Sequence, residues 1–209
     1  METLPYPINL IGKRLQGQAG YQPPTAENRY GSWHDRSIIG PDSPINEGVF
    51  LDPESPPHEA VVVDDEKDPF LSAAYVALQK NMDTYYGGSY KRLGLQVVFD
   101  FVKKQIPLDQ KAVERFAQEK QIQPDQKVSL GNYREGGADR HQALLAGYLL
   151  ERLIQDGKLS GKVSIQTKHV EGSGPQTQAI YTRSDGDKYF VFDLAEKAPT
   201  SHFTEQPSR

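Results

Sequence analysis

The spacing of the apolar residues changes at Gly157, and this change restricts the folds open to the chain. Before Gly157 the apolar residues recur at the helical spacing of about 3.6 residues, most regularly from Asp139 onward. After it, apolar and polar residues alternate as they do in strands. The alternating segments are residues 163–166, 176–183 and 188–194, with the hairpin sequence Asp185-Gly186 before the last. Helices followed by an antiparallel β-meander predict the α+β class.

Three further helices are predicted upstream. The first begins at Asp68-Pro69, a capping residue followed by proline at the first helical position, and ends at Gly87. The second ends before Pro107, and Asp109 caps the third. Residues 121–137 are polar, and we expect a loop there.

The first 65 residues differ in composition from the rest. They contain nine of the 15 prolines and ten Asp or Glu against four Lys or Arg, without a helical period. We therefore expect an extended arm (residues 1–65), followed by a folded domain (66–196) and a C-terminal tail (197–209). The arm also carries large aromatic residues, which are either anchors for a protein partner or a cover for the apolar surface of the domain itself. They are Tyr21, Tyr30, Trp33 and Phe50.

Composition excludes several kinds of chemistry. The chain has no cysteine, which removes disulfides, thiolate nucleophiles and thiolate zinc sites. Its net charge is -4, without clusters of Lys or Arg, which argues against nucleic acid as a partner. No apolar run reaches the roughly 18 residues of a membrane span, and residues 1–5 lack a secretory pattern, so we expect a cytoplasmic protein. Gly172-Ser173-Gly174 follows a strand without opening a helix, and no cofactor is predicted.

Three short sequences mark the corners of the predicted domain. The long helix opens with Gly137-Ala138-Asp139-Arg140, the second strand with Gln176-Thr177-Gln178, and the third strand closes with Phe192-Asp193. This arrangement, over residues 90–195, resembles the transglutaminase-like family, which has a papain-like core. In that family the helix opens as Gly-x-Cys-Arg, the next corner reads His-x-Trp, and the third strand ends in an aspartate that orients the histidine.

The resemblance implies that the catalytic pair has been replaced. Position by position, the cysteine falls on Asp139, the histidine on Gln176 and the tryptophan on Gln178, while Arg140 and Asp193 match. A shift of two residues would move the histidine to Gln178. Losing a nucleophile and base that act as a unit slows such a reaction by about 10⁶, or about 8 kcal/mol of barrier.

Two functions follow as expectations. The first is a catalytically inactive transglutaminase-like protein that binds a protein partner, as a scaffold or assembly component, through the arm or the former cleft. The alternative is an enzyme of cysteine acyltransferase or peptidase lineage that is inactivated or has a thiol-independent site rebuilt around His141 and Asp193. Arg140, His141 and Gln178 are the other candidate residues of the cleft. His141 could join Asp139, His169 and Asp193 around a metal, but a histidine on the helix surface or packed in the interior is favoured, and no metal is predicted.

Overall fold

The computed structural model describes residues 8–52, 56–87, 90–170, 174–184, 188–192 and 204–205. Helices in these ranges are α1 (Ile8–Leu15), α2 (Pro69–Tyr86), α3 (Tyr90–Gln105), α4 (Gln110–Lys120) and α5 (Asp139–Gln155), with a short 3₁₀ turn at Leu130–Tyr133. Strands are β1 (Tyr21–Gln22), β2 (Ser32–Trp33), β3 (Arg36–Ser37), β4 (Val49–Leu51), β5 (Ala60–Val62), β6 (Lys127–Ser129), β7 (Gly161–Val170), β8 (Gly174–Arg183), β9 (Lys188–Phe192) and β10 (Thr204–Glu205).

The predicted α+β class is confirmed. The main sheet has the strand order β10-β9-β8-β7, and all of its neighbouring strands are antiparallel. The predicted meander is therefore present, and β10, from the predicted tail, adds a fourth strand. The hairpin residues Asp185-Gly186 lie outside the described residues, as do Asp193 and most of the tail.

The predicted ends of α2 are confirmed. The Asp68 carboxylate accepts a hydrogen bond from the Phe70 backbone N–H at 3.1 Å, and Pro69 occupies the first helical position. At the other end Gly87 has a φ of 57°, the left-handed conformation that suits glycine, and donates its N–H to the Met82 carbonyl. Local capping chemistry was enough to place this helix.

Helix α5 forms the centre of the core. It packs against β7 and β8 and also against α2 and α3, so residues from Arg140 to Leu150 are buried around the whole helix. Gly147 allows this close approach, because a Cβ atom there would lie 2.7 Å from the Cδ1 atoms of both Ile165 and Ile45. The helix thus touches strand β7 and a loop of the arm at the same point.

The arm is not uniformly extended. Its residues 8–15 form α1, whose Ile11 and Leu15 are buried four residues apart on one face. Other arm residues belong to the main core together with the helices, among them Ile39, Ile45 and Phe50. The expectation of an extended arm is wrong for α1, because so short a helix shows no repeat that sequence alone can detect.

Residues 121–137 are also more regular than predicted. They contain β6, which pairs in parallel with β5 of the arm, with Val128 opposite Val61, and then the 3₁₀ turn. The pairing joins segments more than sixty residues apart in sequence. A three-residue strand held by such a distant partner leaves no local pattern.

Candidate functional site

The amino end of α5 lies directly against β8. Asp139 is the first residue of the helix, and its Oδ2 atom accepts a hydrogen bond from the Thr177 backbone N–H at 2.8 Å. Burial raises the pKa of Asp139, although the N–H groups of Thr177 and Arg140 favour its ionised form. A half-buried carboxylate thus stands at the positive end of the helix dipole.

The Thr177 side chain lies on the face of β8 that packs against α5. Successive side chains in a strand point to opposite faces, and Ala179 and Tyr181 lie in the core beneath α5, so Thr177 shares their face. Its Oγ1 atom lies 3.1 Å from Oγ1 of Thr167 on β7. Thr177 is therefore bonded to Asp139 through its backbone and to Thr167 through its hydroxyl.

Gln176 and Gln178 lie on the other face of β8. Alternation places both away from α5, with Gln176 half-buried and Gln178 buried. The β8 residue whose backbone N–H meets Asp139 is Thr177, which lies between these two glutamines. A shift of one residue reverses the face of every side chain, and counting back from a hairpin cannot settle the register.

A buried ion pair lies immediately beyond Asp139. Arg140 Nε and Nη2 donate to Glu59 Oε1 at 3.2 and 3.0 Å, and Nη2 also donates to the Pro56 carbonyl at 3.2 Å. The Arg140 side chain is 3% exposed and that of Glu59 is 0% exposed. A charged pair of this kind, shielded from water, links the arm to the first turn of α5.

His141 is held by hydrogen bonds at both ring nitrogens. Its Nδ1 accepts the Ala138 backbone N–H at 2.9 Å, and its Nε2 lies 3.0 Å from Glu59 Oε1. Since Nδ1 accepts, the proton of the neutral ring is on Nε2 and is donated to Glu59. The Tyr133 ring stacks on the imidazole with 3.6 Å between centroids. We refer to Glu59, Arg140, His141 and Tyr133 as the Glu59 cluster.

The pKa values in this cluster follow from burial and pairing. Burial lowers the pKa of His141 to about 4, assisted by the Arg140 charge and opposed by the hydrogen bond to Glu59. Burial would raise the pKa of Glu59, but the hydrogen bond from His141 and the charge of Arg140 outweigh it and lower the pKa to about 2. The cluster at neutral pH is a neutral imidazole, a guanidinium and a carboxylate.

The arm aromatics lie in the interior of the chain. Tyr30, Trp33 and Phe50 are 3–4% exposed, and Tyr21 is half-buried. The Trp33 indole N–H donates to the Asp125 carbonyl at 3.0 Å. Their burial favours the interpretation that these residues cover the apolar surface of their own chain over the interpretation that they anchor a protein partner.

Of the residues considered for a metal centre, Asp139, His141 and His169 lie within the described ranges. Within the described ranges, no three His, Cys, Asp or Glu side chains converge as metal ligands would. His169 is exposed on β7, on the same face as Thr167, and Asp193 lies outside the described residues. The same ranges contain no helix with the length and apolar character needed to cross a bilayer.

Sequence reasoning did not find Glu59, Tyr133, Thr167 or Thr177. Glu59 precedes a short arm strand, and its partners lie 81 and 82 residues later in the chain. Only the adjacent polar residues Arg140-His141, directly before the apolar run of α5, could have indicated that a buried counter-charge was needed. A scan against protein-family models and searches of curated proteins and solved structures found no match.

Proposed function

We propose that this chain is a catalytically inactive transglutaminase-like protein that acts by binding a protein partner, as a scaffold or assembly component. The observation that supports it best is the hydrogen bond between Asp139 and the Thr177 backbone N–H. It brings the amino end of α5 and strand β8 together, the juxtaposition that acyl transfer by a helix-borne nucleophile requires. The position of the nucleophile is then filled by a carboxylate.

The chemistry of these two residues argues against turnover. A carboxylate that attacked an amide would form an anhydride, an unfavourable product. Thr177 has a hydroxyl where an acyl transferase would need an imidazole to accept and return a proton. The pair can hold hydrogen-bonding groups of a bound molecule, which is what a binding protein needs from this position.

His141 is poorly placed to replace the missing base. Its ring is fully buried, both nitrogens are engaged, and its pKa is lowered to about 4. A general base must reach the substrate and hold a pKa near the working pH. The alternative function, a thiol-independent site rebuilt around His141 and Asp193, therefore requires the Glu59 cluster to open first.

Activity assays on the unchanged chain test the inactive state. We expect no hydrolysis of activated esters and no incorporation of a primary amine into a glutamine peptide above the rate in buffer. Turnover that disappears in His141→Gln or His169→Gln would contradict the proposal and support the alternative. For the binding role, we expect the chain to elute with one protein partner at a fixed stoichiometry, and a chain that elutes only by itself would contradict that role.

A further inference from the structure

A cavity of about 320 Å³ opens between helices α2 and α3. Its wall on α2 is formed by Asn81, and the rest of its lining comes from α3. The α3 residues are Val97, Asp100, Phe101, Lys103 and Lys104. None of the lining residues belongs to the candidate site or to the Glu59 cluster. A volume of about 300 Å³ is at the lower end of the range for pockets that hold one small molecule.

The floor of the cavity is apolar. Val97 is 4% exposed and Phe101 is 7% exposed, and both belong to the main core. They lie four residues apart in one helix, so their side chains occupy the same face of α3. A flat apolar group can pack on this floor, and an aromatic ring can meet the Phe101 ring edge-on or in an offset stack.

The rim of the cavity is polar. Lys104 is exposed and lies three residues after Phe101, so it shares the face that forms the floor. Asn81 is half-buried on the facing helix, and its side-chain amide can donate as well as accept hydrogen bonds. A group seated on the floor therefore meets an ammonium from α3 and an amide from α2.

The other two charged residues of the lining have contacts of their own. Asp100 accepts a hydrogen bond from Gln96 Nε2 at 3.2 Å, one turn toward the start of α3 and so away from Lys104. The Nζ atom of Lys103 lies 5.2 Å from the centroid of the Phe99 ring, in a cation–π contact. We therefore assign the charged contact with a ligand to Lys104.

We propose that this cavity binds a small aromatic carboxylic acid as its carboxylate. The aromatic ring packs on Val97 and Phe101, and the carboxylate pairs with Lys104 and accepts a hydrogen bond from the Asn81 amide. Two lysines against one aspartate give the lining a net positive charge, which favours an acid over an amine. This site goes beyond the proposed binding of a protein partner and does not depend on it.

The probe is 2-naphthoate, and its uncharged control is 2-naphthamide. Added to the full-length chain labelled with ¹⁵N, the acid should shift the amide resonances of residues 97–104 in a saturable way, and 2-naphthamide should bind more weakly. Lys104→Gln should weaken binding of the acid by about two- to fivefold, the effect of losing one exposed ion pair. Asp100→Asn should strengthen binding, because a charge that repels the carboxylate is removed.

Two further variants complete the test. Asn81→Phe should abolish binding, because the added ring fills the cavity. The matched control Lys120→Gln removes an exposed lysine on α4, outside the cavity, and should bind like the unchanged chain. The inference is overturned by unchanged amides at residues 97–104, by equal affinity for the acid and for 2-naphthamide, or by equal affinity of Lys104→Gln and Lys120→Gln for the acid.

Discussion

Glu59 and Arg140 stand 81 residues apart in sequence and form an ion pair inside the protein. Glu59 immediately precedes β5 of the arm, and Arg140 lies in the first turn of α5. The same carboxylate oxygen also meets His141. The arm thus supplies the counter-charge for the helix end that carries Asp139, and the candidate site depends on a residue far from that helix in sequence.

Neutralising Glu59 should destabilise the whole fold. In Glu59→Gln the buried guanidinium of Arg140 loses its counter-charge, a change that costs about 3–5 kcal/mol. Urea unfolding at pH 7 measures the loss of unfolding free energy. Glu66→Gln is the matched control, because Glu66 is exposed and should change stability by less than about 0.5 kcal/mol.

Removing the charges of both Glu59 and Arg140 should recover part of the unfolding free energy that Glu59→Gln loses. The combination of Glu59→Gln with Arg140→Met leaves no unpaired buried charge, so it should be more stable than Glu59→Gln alone. Equal stability of Glu59→Gln and the unchanged chain would show that the ion pair is open to water.

Acid should destabilise the chain in two stages. The folded pKa of His141 is about 4 against 6.5 for an unperturbed ring, so the unfolded chain binds the extra proton and stability falls as the pH drops from 6.5 toward 4. For Glu59 the folded pKa of about 2 lies below 4.5, so a second loss follows between pH 4.5 and 2. Urea unfolding at pH values from 7.5 to 3.5 measures how the unfolding free energy depends on pH.

The variant His141→Gln isolates the loss of stability that we assign to His141 between pH 6.5 and 4. Glutamine can accept the Ala138 N–H and donate to Glu59, as in a capping box, but it does not titrate. We expect a flatter dependence of the unfolding free energy on pH between 6.5 and 4. An unaltered slope in this variant would mean that another group titrates there.

Trp33 should behave as a core residue. It is 4% exposed and packs in a second apolar cluster with α1, so Trp33→Ala should destabilise the chain by about 3–5 kcal/mol. Val76→Ala, at a position 63% exposed, should change stability by less than about 0.5 kcal/mol. Chemical denaturation compares the two variants. A Trp33→Ala chain as stable as the unchanged chain would contradict the core role of Trp33 and support its role as an anchor for a partner.

Local chemistry predicted most of the helices and the meander. Asp68, Asp109 and Gly87 mark helix ends through their own side chains or conformations, so their neighbours in sequence were sufficient. The period of two residues likewise predicted β7 and β8 within a few residues of their observed ends. The helices satisfy their backbone hydrogen bonds within a short stretch of chain. The strands reveal their apolar face in the alternation of neighbouring residues.

The site itself was less predictable, because it depends on distant contacts. Asp139 was correctly placed at the start of α5, whereas its hydrogen bond to the Thr177 backbone N–H on β8 was not predicted. The role of Glu59 depends on an ion pair across 81 residues, and no local pattern reports such a contact. Strand register and long-range pairing, rather than secondary structure, limited what the sequence could predict about the site.

The most direct measurement introduces a thiol and an imidazole at the helix end and strand that we propose as a former acyl-transfer site. The double variant Asp139→Cys with Thr177→His places a thiol at the amino end of α5 and an imidazole on the facing side of β8, and Asp139→Cys with Gln176→His is its control. Our account predicts thiol-dependent ester hydrolysis in the first variant, blocked by iodoacetamide, and a much lower rate in the control. Two folded variants with no activity above buffer, or activity in the control alone, would contradict the proposal that this helix end and strand are a silenced acyl-transfer site.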